Sequence, residues 1–277
     1  TSSAEATVIV HPNPIASINP NPVEICAGEI TSITASSNMP STTYLWSTTE
    51  TTPSIAVSPA STTTYTVTAT SADGCIGTAD VIVTVYPNPV LNINADASVI
   101  CNGETANLTV SSDIPGTTFL WSTTETTPSI AVNPGSTTTY TVTGTSPDGC
   151  TGTASIQIVV NPIPNVIINT GLTEICDGET TSLNAVSSIP GSTYLWSNAE
   201  TTPNIVISPS STTMYVVTVT SPDGCTGTAE ALITVYPNPV LAINADMNVI
   251  CDGETANLTV TSDIPGITYV VVRRCYY

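Results

Sequence analysis

The sequence repeats itself at a fixed interval, and that interval limits what the chain can fold into more than any other property. Tyr44-Leu45-Trp46-Ser47-Thr48-Thr49-Glu50 returns as Phe119-Leu120-Trp121-Ser122-Thr123-Thr124-Glu125, and again as Tyr194-Leu195-Trp196-Ser197-Asn198-Ala199-Glu200, a step of 75 residues each time. Self-similarity at one period marks an array of like units, whatever the length of 277 residues alone suggests. Proline clusters keep the same period: His11-Pro12-Asn13-Pro14, Tyr86-Pro87-Asn88-Pro89, Asn161-Pro162-Ile163-Pro164 and Tyr236-Pro237-Asn238-Pro239. Proline fixes φ and removes a donor, so strand pairing stops there and a short, stiff spacer follows. The expected organisation is a final strand of a preceding unit at 1–10, repeats at 15–86, 90–161 and 165–236, and an incomplete fourth repeat at 240–277.

Within a repeat the pattern alternates with period two and shows no helical period. Ile33 and Ala35 share a strand face, as do Tyr44 and Trp46, Ile55 and Val57, Tyr65 and Val67, and Val81 and Val83; Asp73-Gly74 reads as a tight turn. Short strands separated by turn signals predict an all-β fold, a row of Ig-like β-sandwiches. Trp46, Trp121 and Trp196 are expected in the cores.

Seven of the eight cysteines obey the period as two series, Cys26, Cys101, Cys176, Cys251 and Cys75, Cys150, Cys225. Metal sites favour closely paired ligands such as C-x-x-C, which are absent here. One disulfide per repeat is expected: Cys26–Cys75, Cys101–Cys150 and Cys176–Cys225. Counting four antiparallel strands between the cysteines of a repeat brings both to one pole of the sandwich. Disulfides imply an oxidising compartment, outside the cytoplasm.

The combined pattern Ile-Cys-x-Gly-Glu, Tyr-x-Trp-Ser-x-x-Glu-Thr-Thr, Ser-Thr-Thr-Thr-Tyr and Asp-Gly-Cys-x-Gly-Thr-Ala resembles the tandem Ig-like or PKD-like repeats of very large cell-surface adhesins from Bacteroidota. The resemblance implies export by type IX secretion, a place outside a Gram-negative cell, and in some cases a part in gliding. Unlike the arrangement in antibody domains, Cys75 lies 10 residues beyond Tyr65.

The ends depart from the period. After Thr268-Tyr269 the repeat demands Leu-Trp-Ser, but the chain continues Val270-Val271-Val272-Arg273-Arg274-Cys275-Tyr276-Tyr277. A GTG valine codon followed by another valine codon contains a tryptophan codon one base over, so the tail reads either as a reading-frame shift, with a longer natural protein, or as a genuine short terminal tail. Residues 1–10 of one copy can also complete 240–277 of another by strand addition. The later strands that the fourth repeat lacks weigh against this, because they leave bare edges.

Charge closes off several functions. The chain has 21 acidic residues and 2 basic ones, net −19, with no lysine. Nucleic-acid binding needs a cationic face, so no nucleic-acid partner is expected. No apolar run is long enough to span a bilayer, so no membrane insertion is expected. His11 is the lone histidine and sits in a linker, leaving no imidazole base for a nucleophile, and no enzyme activity or cofactor is expected. Glu174, Asp177, Glu179 and Asp223 flank Cys176 and Cys225 and are weak candidates for Ca²⁺ at a joint, solubilising rim charge being the simpler reading. Asn107 and Asn257 match the N-glycosylation pattern but fall on a predicted strand. The function expected is an extracellular structural array, a surface filament or adhesin stalk. Its partners would be other copies or neighbouring repeats and surface glycans; the alternative is a repeated carbohydrate- or Ca²⁺-binding module.

Overall fold

A computed structural model describes residues 3–270, which form strands and turns with no helix among them. They fall in two compact units divided between Val160 and Asn161. The first unit holds two repeats; the second holds the third repeat and the partial fourth. The expected frame shift concerns 270–277, and the part beyond Val270 lies outside the described residues.

The first repeat has seven strands: β1 (Ala16–Asn19), β2 (Val23–Cys26), β3 (Thr31–Ser37), β4 (Thr43–Trp46), β5 (Ser54–Val57), β6 (Thr63–Thr70) and β7 (Ile76–Tyr86). They form two sheets, ordered β1-β3-β5 and β2-β7-β6-β4. Every pairing is antiparallel except β2 with β7, which run parallel with Val23 opposite Val83 and Cys26 opposite Tyr86. Alternation decides which side chains turn inward. Ile18, Ile33, Ala35, Ile55 and Val57 from one sheet meet Val23, Ile25, Trp46, Tyr65, Val67, Val81 and Val83 from the other in a single buried cluster.

The second repeat is the same design: β8 (Leu91–Ala95), β9 (Val99–Cys101), β10 (Ala106–Ser112), β11 (Thr118–Trp121), β12 (Ser129–Val132), β13 (Thr138–Thr145) and β14 (Thr151–Asn161). So is the third: β15 (Val166–Thr170), β16 (Glu174–Cys176), β17 (Thr181–Ser187), β18 (Thr193–Trp196), β19 (Asn204–Ile207), β20 (Thr213–Thr220) and β21 (Thr226–Tyr236). Among the described residues the fourth repeat contributes β22 (Leu241–Ala245) paired with β23 (Leu258–Ser262).

Each of the first three repeats therefore has the layered architecture of an Ig-like sandwich, with a tryptophan at its centre. Trp46, Trp121 and Trp196 are 2 % exposed. Their indole N–H groups donate to the carbonyls of Thr52, Thr127 and Thr202 at 2.9 Å. Those carbonyls lie on the segment that crosses from one sheet to the other, so the core residue also ties down the crossing.

Candidate functional site at the joint between repeats

The within-repeat disulfides expected from the sequence do not form. Cys26 is bonded to Cys150, 124 residues away, with Cα atoms 5.5 Å apart. That replaces both Cys26–Cys75 and Cys101–Cys150. Cys75 and Cys176 are free thiols, so Cys176–Cys225 does not form either. Cys101 and Cys225 are disulfide-bonded as well.

The reason is topological. β5 is antiparallel to β3, and β4 starts at the pole where β3 ends, so β4 and β5 run in the same direction. These two strands of four residues, one in each sheet, together make one traversal rather than two. The chain thus crosses the sandwich three times between Cys26 and Cys75, and the two cysteines finish at opposite poles. Cys26 lies opposite Tyr86 at the end of β7, while Cys75 precedes its first residue, Ile76. The length of β7 places them roughly 33 Å apart, far beyond the reach of a disulfide. The same length of β21 separates Cys176 from Cys225.

Each repeat therefore has a downstream pole bearing its first cysteine and an upstream pole bearing its second. The downstream cysteine closes a short strand and begins a turn. Cys26 N–H donates to the Glu29 carboxylate at 2.9 Å, and Glu29 N–H donates to the Cys26 carbonyl at 3.0 Å. Gly28, at φ 87°, supplies the left-handed turn between them. Cys101 with Glu104, Cys176 with Glu179 and Cys251 with Glu254 repeat the contact. This gives the Ile-Cys-x-Gly-Glu motif its role: the glutamate satisfies the backbone N–H of the cysteine and fixes the turn.

The upstream cysteine closes the turn between the last two strands. Ser146 N–H donates to the Cys150 carbonyl at 2.8 Å, and Cys150 N–H donates to the Ser146 hydroxyl at 3.1 Å. The Cys150 sulfur lies 3.9 Å from the carbonyl of Tyr86, where the linker arrives. Two residues on, the strand glycine of Cys-x-Gly-Thr-Ala lets that linker press onto the sheet. A Cβ on Gly152 would collide with the Pro89 carbonyl oxygen, and Gly77 and Gly227 stand in the same way against Pro14 and Pro164.

Between the first two repeats these parts meet. Ala27 N–H donates to the Tyr86 carbonyl at 2.9 Å, and Asn88 Nδ2 donates to the Ala27 carbonyl at 3.1 Å. Tyr-Pro-Asn-Pro is thereby pinned to the repeat it leaves. Glu24, Glu29, Tyr86 and Asp148 surround the Cys26 side of the bridge. The Glu24 carboxylate holds the Tyr86 phenol above its ordinary value, by its charge and by accepting its hydrogen bond, and Asp148 adds to the rise.

The four Ca²⁺ candidates are not brought together. Glu174, Asp177 and Glu179 stand at the downstream pole of the third repeat; Asp223 is in the turn before Cys225 at the upstream pole. Glu179 is engaged by the Cys176 N–H at 2.8 Å. Among the described residues no group of three or more His, Cys, Asp or Glu side chains is arranged to hold a metal ion. His11 pairs with Asp73 at 3.2 Å, with both side chains about half exposed. Asn107 and Asn257 are strand-borne or strand-adjacent, and each is bound to a carboxylate, Asp96 and Asp246 respectively. No described helix is long and apolar enough to cross a membrane.

No known protein family's profile matches the chain, and no curated protein matches it. Solved structures do. A three-domain fragment of titin, I67–I69, is 14 % identical, with 82 % of this chain and all of the fragment covered at a TM-score of 0.43. A bacterial ice-binding adhesin of 1.5 MDa is 18 % identical, covering 83 % of this chain and all of that chain at a TM-score of 0.31. Immunoglobulin domains 1–5 of Sidekick-1 are 14 % identical, covering 82 % of this chain and 60 % of theirs at 0.30. The strand order and pairing described above make this chain a tandem array of Ig-like β-sandwiches.

Proposed function

We propose that the chain is a load-bearing extracellular array, the stalk of a surface adhesin or the body of a filament, exported to the surface of a Gram-negative bacterium. The observation that carries this reading is the Cys26–Cys150 bond. It spans the joint between consecutive repeats, at the point where a tandem array would otherwise bend or part. Bonds of this kind persist in oxidising compartments, and the neutral, Thr- and Ser-rich strands with net charge −19 suit a protein that must stay soluble while extended. The resemblance of the motifs to Bacteroidota adhesin repeats supports the bacterial surface. The role is mechanical: covalent joints carry tension past the sandwiches, and proline spacers limit the play between them.

Single-molecule pulling from the two termini tests it. In the oxidised protein the segment between Cys26 and Cys150 should stay closed under force, and in the C26S/C150S variant it should extend. Equal extension of the two forms would sink the load-bearing reading.

A further inference from the structure

Asn102 and Gly103 form the one Asn-Gly step in the sequence, and the fold sets it in an exposed turn. β9 ends at Cys101, and the Glu104 N–H donates to the Cys101 carbonyl at 3.0 Å, so Asn102 and Gly103 are the two central residues of that turn. Gly103, at φ 90°, takes the left-handed position of a type II turn. A Cβ built on Gly103 would meet nothing within 4 Å, so water reaches the backbone there. Among the described residues neither the Asn102 carboxamide nor the Gly103 N–H enters a hydrogen bond.

Other asparagines are placed differently. Asn88 and Asn133 precede proline, which has no N–H. Asn107 precedes Leu108 within β10, and Asp96 holds both its N–H and its side chain. Asn198 lies in an exposed turn, but Ala199 follows it with a methyl group that crowds the backbone nitrogen.

We propose that Asn102 is a site of spontaneous modification, converting to aspartate and isoaspartate through a cyclic imide. The Gly103 backbone nitrogen attacks the side-chain carbonyl carbon of Asn102. A C–N bond forms, and ammonia leaves with the proton that the nitrogen gives up. Water then opens the imide. Addition at the side-chain carbonyl restores the ordinary backbone as aspartate; addition at the backbone carbonyl leaves the chain running through the side-chain carbon, as isoaspartate. One water enters, one ammonia leaves, and nothing is oxidised or reduced.

The other repeats separate the two products. The equivalents of Asn102 are Ala27, Asp177 and Asp252. Asp177 and Asp252 occupy the same turn, with Gly178 and Gly253 at φ 88° and 92° and the cysteine N–H held by Glu179 and Glu254. Aspartate at position 102 therefore fits. Isoaspartate does not, because it adds one backbone carbon between Cys101 and Glu104. There the Glu104 carboxylate accepts from the Cys101 N–H at 2.8 Å, and Asn133 Nδ2 donates to the Gly103 carbonyl at 2.9 Å. A longer turn cannot keep both contacts, so the end of β9 loosens beside a disulfide-bonded cysteine. Asp-Gly steps reach the same imide by losing water from a carboxyl group, a slower reaction, so positions 177 and 252 lag behind 102. The conversion is irreversible, and the converted fraction records the age of the chain.

The test incubates the oxidised 277-residue chain at mildly alkaline pH. Peptide mapping should find the amide-to-acid mass change at position 102 ahead of every other asparagine, with isoaspartate in excess of aspartate. N102A, which copies Ala27 of the first repeat, should abolish it. In hydrogen exchange the separated isoaspartate form should lose protection at the Cys101 amide several-fold, while N102D should keep it. Conversion confined to the chain in denaturant, faster conversion at another asparagine, or an isoaspartate form with an unchanged Cys101 amide overturns the proposal.

Discussion

Trp121 joins two jobs in one side chain. It fills the centre of the second sandwich, and its indole N–H holds the Thr127 carbonyl at 2.9 Å. Trp121→Ala removes both the volume and the donor, and should cost about 3–5 kcal/mol in urea unfolding. Trp121→Phe keeps most of the volume and strands the carbonyl, so about 1–3 kcal/mol is expected. Gly152 acts by what it lacks. Gly152→Ala pushes a methyl into the Pro89 carbonyl, which is backbone and can yield only if the linker moves. A loss of about 1–3 kcal/mol is expected, with slower closure of Cys26–Cys150 on reoxidation as the specific sign that the joint is displaced. Tryptophan was legible in the sequence because inward alternation marks it. Gly152 was not, since a glycine within a strand announces a close approach but not what approaches.

At the scale of the element, the strand pattern was readable almost throughout, because alternation and turn residues are local signals. What escaped was the first strand of each repeat, β1, β8 and β15, and after it β2 with its equivalents β9 and β16. The latter are short parallel strands that pair across nearly the whole repeat, and Val23-Glu24-Ile25-Cys26 carries too few residues to show a period. Equally hidden was the shared direction of β4 and β5, set by tertiary pairing. That single miscount put both cysteines at one pole and produced the wrong disulfides. The same region offers pH-dependent tests. Asp96 at the end of β8 accepts from Asn107 N–H at 2.8 Å and from its side-chain Nδ2 at 2.7 Å, on the neighbouring β10. These bonds hold its carboxyl below the ordinary 3.8. Its contribution to stability is therefore present above that value and fades as pH falls through the lowered one; carboxyl chemical shifts should place Asp96 below an exposed aspartate. Tyr86 runs the other way. Folding favours its neutral form, so the joint should weaken as pH rises past the ordinary 10.0, and Glu24→Gln should move the Tyr86 phenol back toward that value in an absorbance titration.

For the molecule as a whole, the joint disulfide changes what counts as an independent part. Without it, a tandem array is held by intrinsic repeat stabilities and neighbour contacts. With it, Cys26 and Cys150 close a loop holding β3–β7 of the first repeat and all six of the second's strands before β14. Closing a loop of 124 residues restricts the unfolded chain, a contribution of about 5 kcal/mol in the chain-entropy account and commonly less in practice. C26S/C150S should therefore lower the stability of the first two repeats by about 2–5 kcal/mol. The oxidised pair should unfold in one transition in denaturant and the double variant in two, followed by fluorescence of Trp46 and Trp121. Under force the difference is larger and simpler to read. The bridge withholds 124 residues from extension, and at about 3.4 Å per residue the double variant should lengthen by roughly 420 Å more than the oxidised chain. On the proposed load-bearing reading, the Cys26–Cys150 bridge should pass tension from the first repeat to the second through sulfur. A disulfide inside each repeat would have protected the sandwiches and left the joints to hold alone.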